Sequence, residues 1–146
     1  MRIEPYLQFN GNCAQAFEYY RQHLRGEELC LMPYRGSPAA DQVGADWQDK
    51  IMHGSVTLGP TMLMGADGGC PGEGGDANTI DSQQGMRGSA VCLTVDEPGE
   101  AERVFGALAQ GGKVQMPLQE TFWARKFGML QDQFGVAWMI NCLKPT

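Results

Sequence analysis

The sequence contains one succession of segments twice, and this duplication restricts the fold more than any other feature. Each half starts with an apolar stretch, continues into an amphipathic helix and ends in a β-hairpin. The hairpin glycines Gly59 and Gly135 lie 76 residues apart, whereas corresponding positions on the two apolar helix faces lie 88 residues apart. The first half therefore holds 12 more residues (88 − 76) between its helix and its hairpin, and we place them in its 35–49 loop. Those faces are Cys13, Ala16, Phe17 and Tyr20, and then Ala101, Val104, Phe105 and Leu108. The pattern predicts two β-α-β-β-β modules.

The chain is predicted to be one domain, 1–146, built from module 1–65, a glycine-rich linker at 66–88 and module 89–146. Asn12 and Asp96 are suitable helix N-caps. The linker lacks the spacing of a phosphate-binding glycine loop, so we interpret it as a connection between the modules. Alternation and turn residues predict strands at 3–9, 28–34, 50–58, 61–64, 89–95, 113–118, 127–130 and 136–140.

Composition argues against several kinds of partner. The 146 residues carry a net charge of −6 and no run of Lys or Arg, which argues against nucleic acid and against an anionic membrane surface. No stretch approaches the ~20 apolar residues of a membrane span. The N-terminus leads directly into a strand, without the pattern of a signal peptide. Five cysteines without a C-x-x-C motif indicate a reduced, cytoplasmic protein.

Two long motifs resemble a known family. The opening PYLQFNGNCAQAFEYY (5–20) and the closing ETFWARKFG (120–128) with DQFGVAWMIN (132–141) are similar to the PhnB-like branch of the vicinal oxygen chelate superfamily. That superfamily includes glyoxalases, bleomycin-resistance proteins and extradiol dioxygenases, and the branch is also labelled 3-demethylubiquinone-9 3-methyltransferase-like. The resemblance implies an α+β fold: two βαβββ modules form a curved, cup-shaped mixed sheet with helices on the convex face and ligand on the concave face. It identifies the fold better than the reaction, because this fold hosts many chemistries.

Strand alternation separates the two faces of such a sheet independently. The predicted core face is almost wholly apolar and holds Leu7, Phe9, Val56, Leu58, Leu63, Val91, Leu93, Val95, Leu130, Trp138 and Ile140. The opposite face holds Glu4, Tyr6, Gln8, His53, Ser55, Thr57, Met62, Met64, Cys92, Thr94, Phe127, Met129, Gln131, Met139 and Asn141. Its mixture of Met, aromatic and polar residues is typical of a small-molecule pocket, and a dimer interface or a solvent-exposed face would also fit it.

The resemblance also implies where metal ligands would lie. Metal-dependent members take one ligand from each of four strands, and these positions correspond here to Glu4, Met64, Ala90 and Met139. Only Glu4 suits a hard or borderline cation, thioethers suit Cu(I), and Ala has no donor atom. We therefore predict that the usual metal site is missing and that no cofactor is bound.

Two residues are candidates for catalysis. His53 is predicted on the pocket face, where an imidazole could act as acid, base or hydrogen-bond anchor, or serve only a structural role. Glu120 could pair with His53, Arg125 or Lys126, or be a solvated loop acid. The candidates for ligand binding are Tyr6, Gln8, Met64, Trp123, Phe127, Met139 and Asn141.

We predict a cytoplasmic homodimer that binds a small organic ligand and has neither nucleic acid nor membrane as a partner. The alternative is a metal-dependent lyase, isomerase or dioxygenase with a rearranged site that uses His53 and Glu120. A third interpretation is an interaction protein whose cup is filled by its partner. Methyl transfer has no support in the residues, because the sequence after the first strand, Phe9-Asn-Gly-Asn-Cys13, is not the glycine-rich turn that holds an adenosine-type methyl donor.

Overall fold

The computed structural model describes residues 1–68 and 79–145, and these form two compact units, Met1–Ile80 and Asp81–Thr146. Each unit contains one of the two predicted modules. The boundary between the units lies within the predicted linker, 66–88, of which residues 69–78 are outside the described part of the chain.

The first unit has the order strand, helix and three strands. Strand β1 (Tyr6–Phe9) precedes helix α1 (Cys13–His23), and strands β2 (Leu29–Pro33), β3 (Ile51–Leu58) and β4 (Thr61–Asp67) follow. The sheet order is β1-β4-β3-β2, with β1 parallel to β4 and the other pairs antiparallel. The predicted 35–49 loop contains two short 3₁₀ turns, Ala40–Gln42 and Ala45–Trp47.

The second unit repeats this arrangement. It contains β5 (Val91–Thr94), α2 (Pro98–Ala109), β6 (Lys113–Gln119), β7 (Ala124–Gln131) and β8 (Ala137–Leu143) in the sheet order β5-β8-β7-β6. The only parallel pair in this sheet is β5 with β8. Two βαβββ modules with mixed four-stranded sheets confirm the predicted α+β class and the duplication.

One helix covers one face of each sheet. A Cβ atom built on Gly65 of β4 would lie 3.1 Å from the Phe17 ring of α1, and one built on Gly128 of β7 would lie 2.6 Å from the Phe105 ring of α2. Glycine is therefore required where each helix approaches its sheet. The predicted core residues of β1, β7 and β8 are buried on these faces, with Phe9, Leu130 and Ile140 at 0% exposure.

The start of α1 depends on a residue whose role the sequence analysis did not predict. Asn12 is the N-cap residue, yet its side chain makes no capping hydrogen bond. Instead, Oδ1 of Asp67 accepts hydrogen bonds from the backbone N–H groups of Gly11 at 2.9 Å and Cys13 at 3.0 Å. Its Oδ2 accepts from Ile51 N at 2.8 Å. Asp67 is 1% exposed and thus joins α1, β3 and β4.

The second unit uses a buried aspartate differently. Asp132, at 2% exposure, accepts hydrogen bonds at Oδ1 from the backbone of Phe134 and Val136, and at Oδ2 from Trp138 Nε1 at 2.8 Å. It therefore holds the predicted 132–135 turn against β8, and Gly135 provides the positive φ of 92°. The second helix begins after Glu97, one residue later than the predicted cap Asp96, and Glu97 makes no side-chain capping hydrogen bond.

We expect Asp67→Ala to lower the free energy of unfolding by about 3–5 kcal/mol, because two buried N–H groups, those of Cys13 and Ile51, and the part-buried N–H of Gly11 would lose a charged acceptor. The control is Asp49→Ala, because Asp49 is 81% exposed in an ion pair with Arg35, and the loss of such a solvent-screened pair should leave the free energy of unfolding nearly unchanged. Urea denaturation followed by circular dichroism measures both variants, and equal effects would contradict the role assigned to Asp67.

Candidate functional site

The face of each sheet that carries no helix is the candidate site, and we call it the helix-free face. In the first unit it holds Tyr6, Gln8, Cys30, Met32, His53, Ser55, Thr57, Met62 and Met64. In the second unit it holds Cys92, Thr94, Met116, Phe127, Met129, Gln131, Met139 and Asn141. The predicted pocket residues of the strands therefore share this face, and Cys30, Met32 and Met116 join them.

No residue of β2 or β6 is predicted on this face, although Cys30 and Met32 alternate with Leu29 and Leu31 in the sequence of β2. Leu29 is the register partner of buried Val56, so the next residue, Cys30, must point to the other face.

Tyr6 and His53 form the clearest polar pair in the first unit. The Tyr6 hydroxyl lies 3.3 Å from His53 Nδ1, and their ring centroids are 5.8 Å apart. Which atom donates depends on the imidazole tautomer. Burial raises the pKa of Tyr6, with smaller contributions from Cys13 and Tyr34, so its hydroxyl stays protonated near neutral pH. The pair can orient a polar ligand group or transfer a proton to one.

Other predicted residues of the first unit lie around this pair. Met64 lies between Tyr6 and Ser55 in the register of the sheet. The Gln8 side chain lies 3.7 Å from where a Cβ of Gly68 would be. Glu4 lies before β1 and forms an ion pair with Arg2, in which Glu4 Oε1 lies 2.8 Å from Arg2 Nη2.

Aromatic residues and an amide form the corresponding group in the second unit. Trp123 and Phe127 meet edge to face with ring centroids 5.3 Å apart, and Trp123 is 41% exposed while Phe127 is 7% exposed. Phe127 is the register partner of Asn141 on β8. The side-chain oxygen of Asn141 is buried and has no hydrogen-bond partner among the described residues. A buried acceptor without a partner is costly, and a ligand N–H or O–H would satisfy it.

Residues 81–86 also approach the helix-free face of the second unit. Met86 N donates to Gly135 O at 2.8 Å, which fixes this segment to the β7–β8 turn. A Cβ on Gly85 would lie 1.9 Å from Oε1 of Gln131, and the Gly85 φ of 79° lies in the left-handed region that favours glycine. Gln131 is accordingly 8% exposed.

Glu120 pairs with a cation that the sequence analysis did not consider. Its carboxylate lies 2.7 Å from Lys144 Nζ, while Lys126 binds Glu102 at 2.9 Å and Arg125 donates to backbone carbonyls of Leu143 and Asp96. The hydrogen bond and charge of Lys144 lower the pKa of Glu120, with a smaller effect from Lys126. A lowered pKa moves Glu120 away from the neutral range that suits a general acid or base.

The residues at the family's metal-ligand positions do not fit a hard or borderline divalent cation. Met64 and Met139 offer thioethers, Ala90 offers no donor, and the Glu4 carboxylate faces Arg2. Within residues 1–68 and 79–145, no three His, Cys, Asp or Glu side chains come together as metal ligands. Nor does any helix in these ranges have the length and apolar character needed to cross a membrane.

The turn between β1 and α1, where an adenosine-type cofactor would be held, is already occupied by protein groups. The N–H groups of Gly11 and Cys13 donate to Asp67, and the Gly11 carbonyl accepts from Lys50 Nζ at 2.7 Å.

The fold defines a class of protein. A glyoxylase/bleomycin resistance protein/dioxygenase domain from Frankia sp. EAN1pec is 16% identical with a TM-score of 0.56, and the match covers 98% of this chain and 95% of that domain. At this identity the likeness concerns the fold alone. It confirms the glyoxalase/bleomycin-resistance type of fold found in the vicinal oxygen chelate superfamily.

Closer relatives identify the family. The 3-demethylubiquinone-9 3-methyltransferase family matches residues 1–141. Protein YjdN of Escherichia coli (strain K12) is 35% identical over 156 aligned positions, which cover 100% of this chain and 99% of YjdN. Protein PA1353 from Pseudomonas aeruginosa is 47% identical to this chain in sequence. Its crystal structure matches with a TM-score of 0.82, and the match covers 99% of both chains. The chain therefore belongs to the 3-demethylubiquinone-9 3-methyltransferase family, the PhnB-like branch that its sequence resembles.

We expect Lys144→Met to raise the pKa of Glu120 toward the ordinary value of a glutamate, and Lys126→Met to raise it less. The ion pair with Lys144 favours the ionised form of Glu120. Its stabilising effect is therefore fully present above the ordinary pKa of a glutamate and is lost as the pH falls through the lowered pKa of Glu120. Carboxyl NMR titration at low salt measures the shifts. If both lysine variants had the same effect, Lys144 would not be the principal partner.

Proposed function

We propose that this protein binds a small organic ligand on a helix-free face and uses no divalent metal at the family's usual position. The observation that carries the proposal is the buried, unpartnered oxygen of Asn141 beside the Trp123–Phe127 pair. An acceptor next to aromatic rings suits a ligand that has a flat or apolar part and a hydrogen-bond donor.

The first unit supports the same proposal with different chemistry. Tyr6 and His53 provide a polar contact point, and Met64 and Ser55 are their neighbours on the face. Met side chains adapt to ligand shape, which suits binding more than it suits a fixed catalytic geometry. The family name denotes methyl transfer, but the occupied β1–α1 turn gives that activity no support. A cytoplasmic homodimer is part of the proposal, and light scattering that finds only a monomer would remove the dimer.

The alternative is a metal-dependent enzyme that uses His53 and Glu120, and metal analysis tests it. Protein purified without a chelating resin should contain less than one equivalent of Zn, Ni, Mn or Fe per chain and should show no change in melting temperature with these ions. One equivalent of metal that is lost in His53→Ala would overturn the proposal and support the enzyme.

Thermal melting with a panel of planar aromatic donors and phosphonate-like compounds tests binding directly. A ligand that binds only the folded state should raise the melting temperature progressively with its concentration, and at a hundred times its Kd it should add about 2.7 kcal/mol of stability. The chain has three tryptophans, so quenching of tryptophan fluorescence by the same compounds would place them near this face if it is lost in Trp123→Phe. A broad panel without any shift would contradict the proposal.

We expect Asn141→Leu to leave the ligand-free protein at least as stable as wild type, because it removes a buried acceptor without a partner. The same variant should abolish the shift caused by any ligand found in the panel. Asn12→Ala is the matched control, because its side-chain oxygen is also buried without a described partner but lies at the start of α1. Asn12→Ala should keep the ligand response, and an Asn141→Leu variant that also keeps it would contradict the role of Asn141.

A further inference from the structure

We propose that the helix-free face of the second sheet contains a binding site for a soft, sulfur-seeking monovalent metal ion such as Cu(I) or Ag(I), formed by Cys92, Met139 and Met129. This goes beyond the proposed ligand binding, which does not require the site. It concerns a class of metal different from the divalent ions that the family's usual positions would hold.

The register of the sheet aligns these sulfur side chains in one row. Cys92 on β5 is the partner of Met139 on β8, and Met139 is the partner of Met129 on β7. Met116 on β6 continues the row as the partner of Met129. Three neighbouring strands therefore each contribute one sulfur atom to the same line, and β6 adds Met116 at a point where its pairing with β7 is irregular on both sides.

The spacing of the row fits a shared ion. Directly opposed side chains of an antiparallel pair, such as Met139 and Met129, have Cβ atoms about 4.5–5.5 Å apart. The parallel strands β5 and β8, which carry Cys92 and Met139, lie about 4.7–4.9 Å apart. Two sulfur atoms on one ion are separated by at most about 4.6 Å, if each bond is near the 2.3 Å found for sulfur on zinc. Cys92 and Met129 lie two strands apart, with Cβ atoms about 9.6 Å from each other. An ion held over Met139 therefore binds all three sulfur atoms only when the flexible, unbranched Met129 side chain extends toward it.

The chemistry of the row selects the kind of ion. Thiolate and thioether donors prefer Cu(I), whereas Mg²⁺, Ca²⁺ and Mn²⁺ prefer oxygen. Cys92 is exposed, so its sulfur is accessible from solvent, and the three Met residues are half-buried. On binding, the S–H bond of Cys92 breaks, a sulfur–metal bond forms and the proton goes to water. No electron moves, and the ion stays monovalent.

The first sheet supplies an internal control. Cys30 is also an exposed thiol on an edge strand and on the helix-free face, but its cross-strand partner is Ser55. Beyond Ser55 lies Met64. The two rows thus differ at the middle position, where the first sheet has a hydroxyl and the second has a thioether.

Two proteins isolate the two thiols. Cys30→Ser with Cys70→Ser keeps Cys92, and Cys92→Ser with Cys70→Ser keeps Cys30, while buried Cys13 and Cys142 are present in both. Each protein is titrated with Cu(I) under anaerobic conditions against the coloured chelator bicinchoninate, and Ag(I) competition provides a probe that does not change oxidation state. We expect the protein with Cys92 to take one equivalent from the chelator and the protein with Cys30 to bind at least about tenfold more weakly.

Variants of the middle position complete the test. In the protein with Cys92, Met139→Leu or Met129→Leu should weaken binding at least about tenfold, whereas Met62→Leu on the other sheet should not. In the protein with Cys30, Ser55→Met should strengthen binding, and this gain cannot result from misfolding. Equal affinity of the two thiols, or unchanged affinity after both Met139→Leu and Ser55→Met, would overturn the site.

Discussion

Among residues 1–68 and 79–145, each unit has one α-helix for a four-stranded sheet, and this limit determines the rest of the structure. The helix covers a single face, and the glycines at the closest approach, Gly65 and Gly128, allow it to lie directly on the strands. The other face must then be occupied by side chains that tolerate partial exposure or that meet a partner. That face carries Met, aromatic, hydroxyl and amide groups, because an apolar face without a helical cover would expose a large hydrophobic patch.

Two buried carboxylates connect this arrangement to the loops. Asp67 satisfies N–H groups at the start of α1 and at the start of β3, and Asp132 satisfies those of the β7–β8 turn together with the Trp138 indole. Both therefore act as acceptors for groups that the strands and helices leave unsatisfied. They stabilise the scaffold from the core side and leave the helix-free faces available for other chemistry.

Much of this fold could be predicted from the sequence, because alternation and helical periodicity record which face is buried. The element order, the duplication and the core residues of β1, β7 and β8 all agree with those patterns. In the sequence, Asp67 falls at the start of the predicted 66–88 linker and has no predicted role of its own. Alternation places it on the core face, because it lies two residues after Gly65. The three N–H groups that donate to it belong to distant parts of the chain, so no local sequence pattern predicts these hydrogen bonds.

The site was less predictable, because its properties depend on pairs rather than on single residues. Alternation along the strands predicts that Tyr6 and His53 lie on the same face of the sheet, whereas the contact between them depends on strand order and register. The partner of Glu120 is Lys144, beyond the last strand, and a hairpin pattern gives no information about it. The row of sulfur side chains likewise emerges only when β5 is placed beside β8.

These pairs also affect which groups remain available on the helix-free faces. A divalent site needs oxygen or nitrogen donors that converge, yet Glu4 faces Arg2 and Glu120 faces Lys144, so both carboxylates are already neutralised by a cation. The side chains left on the helix-free faces are mostly neutral and polarisable. Such groups recognise a ligand by shape, by contact with aromatic or thioether groups and by single hydrogen bonds, and the unpartnered Asn141 oxygen is the position where such a hydrogen bond would contribute most.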